Sequence, residues 1–243
     1  VISIKNSVLK SMIKQTIFAI STNDSKPIHT GTFFSLEQSV LRLISVDGYR
    51  LALRKEKIDF SSELSFVVPG KALSEILKLL PDNDEKSSIF IGNKHIVFKI
   101  EEYFIISRLL EGDFLDYHST IPKEQKTEVI FNTRECINNV ERVSLMVTDR
   151  LRSPVRCVIS DNKAKFLCTT TIGKAVDECA ISKTGESLEI GFNHKYLLDA
   201  LKNVEDDEVK FLLNGQLSPI KIVPKDGDSF IFLVLPVRLK AED

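Results

Sequence analysis

Ser45-Val46-Asp47-Gly48-Tyr49-Arg50-Leu51-Ala52-Leu53 sets an Asp-Gly pair between two alternating apolar runs, with Leu41 and Leu43 on one side and Leu51 and Leu53 on the other. Asp-Gly flanked in this way is the strongest short-range hairpin signal, because both residues tolerate the positive φ of a tight turn. A tight turn at Asp47 and Gly48 is therefore expected, joining strands at 40–46 and 49–58.

Outward from this hairpin the chain alternates between helical and strand-like patterns. Amphipathic helices open near Asn6, Gly70, Thr133 and Asn193. They recur at about 60 to 65 residues, long enough for a strand, a helix and three further strands. Three of them open on asparagine, whose side-chain oxygen accepts from the free amides of a first helical turn, and two share Phe-Asn there, at Phe131-Asn132 and Phe192-Asn193. Short strands at 1–4, 64–68, 128–131 and 188–192 precede the helices. Strand-like runs follow them: 28–36, 40–46 and 49–58; 88–91, 95–100 and 103–109; 155–160, 164–170 and 174–181; 208–213, 218–223 and 230–235. The chain reads as four copies of one β-α-β-β-β unit.

One copy cannot cover both faces of its own sheet, so copies should pair into α+β domains with two helices side by side and antiparallel sheets outside them. The polar stretch Glu111-Gly112-Asp113-Phe114-Leu115-Asp116-Tyr117-His118, with Pro122 and Lys123 beyond it, separates the second copy from the third. Domains at 1–118 and 119–243 are expected.

Bulk properties narrow the class. With 43% hydrophobic and 28% charged residues among 243, the composition is that of a globular protein with ample core. A net charge of −1 excludes polyanion binding through overall charge, so any nucleic-acid role rests on local placement of Lys and Arg. Cys136, Cys157, Cys168 and Cys179 form no CxxC and have no histidine at metal-ligand spacing, which points to reduced structural thiols. Lys5, Lys10 and Lys14 interrupt the N-terminal stretch, and the longest apolar run, 230–235, is strand length. Neither a signal peptide nor a membrane span is read, and a cytoplasmic location is expected.

The helices share a charge pattern. Leu73, Ile76, Leu77 and Leu80 fall on one face of the second, opposite Lys71, Glu75 and Lys78. In the fourth, Leu197, Leu201 and Val204 oppose Lys195, Asp199 and Lys202. The first presents Lys10 and Lys14 away from Leu9, Ile13 and Ile17, and the third Arg134 and Arg142 away from Ile137 and Val140. On the pattern alone a solvated face is the favoured account of such charges over a DNA-facing one, and Glu75, Glu135, Glu141 and Asp199 dilute them.

The hairpin Val46-Asp47-Gly48-Tyr49-Arg50-Leu51-Ala52 stands after Lys26-Pro27-Ile28-His29-Thr30-Gly31 and is completed by a distant C-terminal Leu233-Val234-Leu235-Pro236-Val237-Arg238-Leu239. In this order and separation the motifs resemble the middle and last domains of the bacterial sliding-clamp family, the beta subunits of DNA polymerase III, from about Ser3 to Leu239. The resemblance implies two clamp-type domains with helices on an inner face, a non-catalytic processivity factor without cofactors, and a family first domain outside these residues. It implies that complete subunits form a homodimeric ring around duplex DNA, whereas these residues alone would be monomeric and unable to close one. Lys10, Lys14, Lys71, Lys78, Arg134, Arg142, Lys195 and Lys202 then become DNA-lining positions making weak, sequence-independent contacts.

It also implies a groove at the domain junction for a linear motif of the Gln-Leu-x-Leu-Phe kind, carried by polymerases, the clamp loader and repair proteins. Its residues would be His29, Val46, Gly48, Tyr49, Arg50, Leu51, Leu115, Thr120, Leu217, Leu233, Leu235, Pro236, Val237 and Arg238, with Asn193 and Tyr196 at the rim. His29 departs from the family's usual apolar residue and Leu115 from a common proline, and the tail at 240–243 would partly cover the groove.

On the residues alone, other classes stay open. A protein-binding module would use the groove without encircling DNA. A hydrolase would need an unrecognised carboxylate site, for which Asp82, Asp84 and Glu85, or Glu205 to Glu208, are the acid clusters. Both follow a helix directly, where solvation explains them, and no HExxH, GxSxG or P-loop pattern accompanies them.

Overall fold

Apolar alternation along the strands and a 3.6-residue apolar stripe along the helices produce the same element order four times in the computed structural model, which describes residues 1–23, 25–148 and 153–239. The chain divides into two units, Val1–Asp116 and Tyr117–Asp243. The first contains β1 (Ile2–Lys5), α1 (Asn6–Ile17), β2 (Gly31–Glu37), β3 (Val40–Val46) and β4 (Arg50–Lys57), then β5 (Leu64–Pro69), α2 (Gly70–Leu79), β6 (Lys86–Ile91), β7 (His95–Ile100) and β8 (Tyr103–Arg108). In the second are β9 (Thr127–Asn132), α3 (Thr133–Ser144), β10 (Val155–Ile159), β11 (Lys163–Thr170), β12 (Gly173–Ala180) and β13 (Ser182–Gly185), then β14 (Leu188–Phe192), α4 (His194–Leu201), β15 (Glu208–Leu213), β16 (Ile220–Pro224) and β17 (Phe230–Val234).

The repeats interlock by exchanging their first strands. β1 leaves its own repeat to pair with β6, Ile2 opposite Ile89, and β5 pairs with β2, Phe33 opposite Val67. In the second unit β9 pairs with β15 and β14 with β10. Within each unit these pairings are antiparallel. The first unit thus has the orders β1-β6-β7-β8 and β4-β3-β2-β5, and the second β12-β11-β10-β14 and β13-β9-β15-β16-β17.

Within each unit the two helices pack together, α1 on α2 and α3 on α4. Leu9, Met12 and Ile13 of α1 and Leu73 and Ile76 of α2 close over Phe34, Leu36, Leu41, Leu43, Ile89, Phe98 and Ile100, all buried. Each such side chain contributes about 1.5–3 kcal/mol.

The capping asparagines behave in two ways. Asn132 accepts from Glu135 N at 2.9 Å and Asn193 from Lys195 N at 2.9 Å, as N-caps do. Asn6 is not a cap: it is the first helical residue, with Lys5 at the cap position. Its buried side chain donates to Asn83 Oδ1 at 2.9 Å and accepts from Ser87 Oγ at 2.5 Å. The α1 amides of Asn6 and Ser7 are met instead by the carbonyls of Glu85 and Asn83, at 2.8 and 3.0 Å. The second unit repeats the device, Thr133 N donating to Asp207 O at 2.8 Å. So the acidic turn after each unit's second helix lends main-chain carbonyls to the start of its first, while Asp84 pairs with Lys5 at 2.9 Å and Glu208 with Lys225.

Other expectations shift locally. Residues Pro27–Thr30 form a 3₁₀ turn where a strand from 28 is expected, since Pro27 has no amide for a ladder. β13 was not anticipated; its short, polar sequence carries no alternation, and pairing with β9 defines it. Val204 lies beyond α4. No helix among the described residues is long and apolar enough to cross a membrane.

Candidate functional site

The hairpin turn sits one residue further along than its sequence suggests. Val46 faces Leu51 across β3 and β4, and Asp47 N donates to Arg50 O at 3.3 Å. Gly48 and Tyr49 are therefore the central residues, with Gly48 at φ 91°, the arrangement of a II′-type turn. The reason lies in the Asp47 carboxylate. Its Oδ1 accepts from Tyr49 N at 2.9 Å and Arg50 N at 3.0 Å, while Oδ2 accepts from Arg50 Nε at 2.9 Å. Arg50 also lies over the Phe18 ring at the end of α1, its Cζ 5.8 Å from the centroid.

Of the other candidates in this unit, Val46 and Leu51 are buried and Tyr49 is 60% exposed. His29 belongs to a second cluster, and Leu115, the residue after Phe114, is 41% exposed. The His29 ring meets Phe114 edge-on at 5.4 Å between centroids, and Phe114 stacks on Phe33 at 4.9 Å. Burial and the nearby Lys26 charge lower the His29 pKa below 6.5.

In the second unit the C-terminal segment is pinned to β14. Val237 N donates to Gly191 O at 2.8 Å, an approach that requires glycine: a Cβ at 191 would stand 2.7 Å from Val237 O and 2.5 Å from Leu239 Cδ2. Val237 thereby faces two cavities. One, of about 330 Å³, is lined by Gly191, Gln216, Leu217, Val237, Arg238 and Leu239. The other, of about 610 Å³, is lined by Val147, Thr148, Ser153, Pro154, Asn193, His194, Lys195, Tyr196 and Val237. The structure thus brings together five unit-two candidates, Asn193, Tyr196, Leu217, Val237 and Arg238. Leu233 is buried in β17 and Leu235 is 42% exposed; Pro236 follows. Thr120 lies apart from these cavities, its hydroxyl donating to Tyr117 O at 2.8 Å. Burial, then Lys195, lowers the His194 pKa.

Phe18, Phe114, Gly191, Gln216 and the 147–148 and 153–154 stretches were not read from sequence. Each depends on a contact distant in the chain, as Phe18 does on Arg50. The tail at 240–243 lies outside the described residues.

Seven of the eight helix cations are exposed, and Lys10 is half-buried. Lys78 pairs with Glu75 at 2.7 Å, Lys202 with Glu141 at 2.6 Å, and Arg142 with Asp177. Among the described residues, Lys10, Lys14, Lys71, Arg134 and Lys195 make no ion pair. The four cysteines are free and buried. Burial pushes Cys136 and Cys157 well up and Cys179 up to about 11, which leaves these thiols protonated and poor nucleophiles. No metal-holding cluster of His, Cys, Asp and Glu occurs among the described residues.

Comparison with known proteins agrees with this geometry. The family described as DNA polymerase III beta subunit, central domain, matches residues 3–116, and its C-terminal domain matches residues 118–238. The chain is 37% identical over 242 residues to the beta sliding clamp of Bacillus subtilis and 34% to that of Staphylococcus aureus, covering 98% of this chain and 64% of each relative. It therefore spans about two thirds of the length of these relatives. The crystal structure of the DNA polymerase sliding clamp from Bacillus subtilis superposes with a TM-score of 0.95 at 36% identity, over 98% of this chain and 64% of that one. The chain belongs to the DNA polymerase III beta subunit family, over whose central and C-terminal domains it runs.

Proposed function

We propose that this chain is part of a non-catalytic sliding clamp, a cytoplasmic processivity factor that binds short linear peptides of polymerases, the clamp loader and repair proteins, and passes duplex DNA along its helices. The observation that carries the peptide reading is the seating of Val237 on Gly191 between two cavities. Leu217 and Leu235 offer apolar surface there, and Asn193 and Arg238 offer polar contacts. Val46, Gly48, Tyr49, Arg50 and Leu51, with His29 and Leu115, are the proposed peptide contacts of the first unit, and Thr120, Tyr196, Leu233 and Pro236 further ones of the second.

Two apolar peptide anchors contribute about 3 to 6 kcal/mol, short of the roughly 8 kcal/mol of micromolar binding. Hydrogen bonds supply the remainder, offset by ordering of the peptide. Partners should therefore exchange readily, and a bound polymerase stays near DNA through topology and effective concentration. The helix cations contact phosphates without reading bases. Complete subunits close as a homodimeric ring, and because the resemblance puts the family's first domain in that closure, a polypeptide of these 243 residues made by itself is a monomer.

The test is titration of the chain with fluorescein-labelled Gln-Leu-Ser-Leu-Phe, with a peptide carrying alanine for both its second leucine and phenylalanine as control. Saturable micromolar binding lost with the control supports the peptide site; equal binding of both peptides, or of neither, refutes it. The pairing of Lys78, Arg142 and Lys202 with carboxylates favours a second reading, a peptide-binding module that leaves DNA alone. Absence of duplex-DNA binding even at low salt would select it.

A further inference from the structure

We propose that Asp47 is a positioning residue of the peptide site, holding the Arg50 guanidinium in the pose that meets the peptide. This rests on the reading of the 46–51 hairpin as part of that site. The two oxygens of Asp47 do separate work: Oδ1 accepts both turn amides, and Oδ2 accepts Arg50 Nε at 2.9 Å. Only 13% of the Asp47 side chain and 12% of the Arg50 side chain are exposed, so the pair is shielded from bulk salt. The Phe18 ring, 5.8 Å from Cζ, supports the guanidinium further.

An arginine has many rotamers, and binding a peptide through a free one would cost the entropy of ordering it. Here that ordering is complete before the peptide arrives. The division of labour also gives a variant that separates turn from pose. Asp47→Asn keeps an oxygen for the two turn amides but faces Arg50 Nε with a second donor, which releases the guanidinium.

The experiment is anisotropy titration of fluorescein-labelled Gln-Leu-Ser-Leu-Phe with the 243-residue chain as wild type, Asp47→Asn, Arg50→Ala and the double variant, each with its thermal midpoint. Asp47→Asn is expected to weaken binding by about tenfold, the value of one charge-assisted contact, with no further loss once Arg50 is alanine. Phe18→Leu leaves the turn untouched and is expected to weaken binding about threefold, again only while Arg50 is present; it decides the matter if Asp47→Asn unfolds the hairpin. Wild-type affinity in Asp47→Asn, or losses that simply add in the double variant, overturns the role of Asp47 while the peptide site stands. No saturable binding by the wild type overturns the peptide site itself, and this role with it.

Discussion

Leu235 is an apolar side chain 42% open to solvent beside a run of fully buried neighbours, Phe232 to Val234. An exposed position tolerates a charge without a core penalty, so Leu235→Asp should leave the thermal midpoint nearly unchanged and abolish peptide binding in the fluorescence titration. The histidines give a pH prediction. His29 and His194 both have pKa values lowered from 6.5, chiefly by burial. In the window below 6.5 the unfolded chain takes up protons that the folded one refuses, so stability present at neutral pH is lost as pH falls through the folded values. Urea midpoints should fall as pH is lowered from above 6.5 into the acid range, and His29→Gln should flatten part of that slope.

Among the elements, the contact of β14 with the C-terminal segment is the most easily disrupted, because it depends on a missing side chain. Gly191→Ala would drive a Cβ against the Val237 carbonyl, a main-chain atom that cannot rotate away. Detachment of the segment from β14 removes the seat of Val237 and changes both cavities, so peptide affinity should fall by about tenfold or more. The rest of β14 keeps its ladder to β10, and the loss of stability should stay near 1 kcal/mol, the net worth of one hydrogen bond. Calorimetry and the same titration separate the two effects. The helix starts are more robust, since main-chain carbonyls from another repeat meet the first amides of α1 and α3.

Across the whole molecule, exposed helix cations carry the proposed DNA contacts despite a net charge of −1. Lys14, Lys71, Arg134 and Lys195, the exposed ones without an ion pair among the described residues, should matter most. Replacing Lys14 and Lys71 by alanine should weaken duplex binding uniformly across sequences and reduce the salt slope by about 1 per lost phosphate contact. Lys78→Ala, already engaged by Glu75, should change it less. Electrophoretic retention at stepped salt measures the slopes.

Local signals were sufficient for much of the fold. The 3.6-residue stripes placed four helices to within a residue or two of their starts, and the Phe-Asn pairs marked two true caps, because periodicity and capping are properties of neighbouring residues. The cysteine spacing likewise announced free thiols. What local reading could not supply were arrangements made by distant partners. The exchange of first strands between repeats, the use of Asn6 as a buried link to Asn83 and Ser87 rather than as a cap, and the dependence of Val237 on Gly191 all join residues far apart in the chain, from Leu36 opposite Leu64 to Ile2 opposite Ile89, whose pairing is decided by packing and hydrogen-bond satisfaction. Even the Asp-Gly turn moved by one position, because the Asp47 carboxylate could satisfy two amides and Arg50 only from the strand end. Composition and period specify which elements form; the competition for hydrogen-bond partners and buried surface specifies where each one goes.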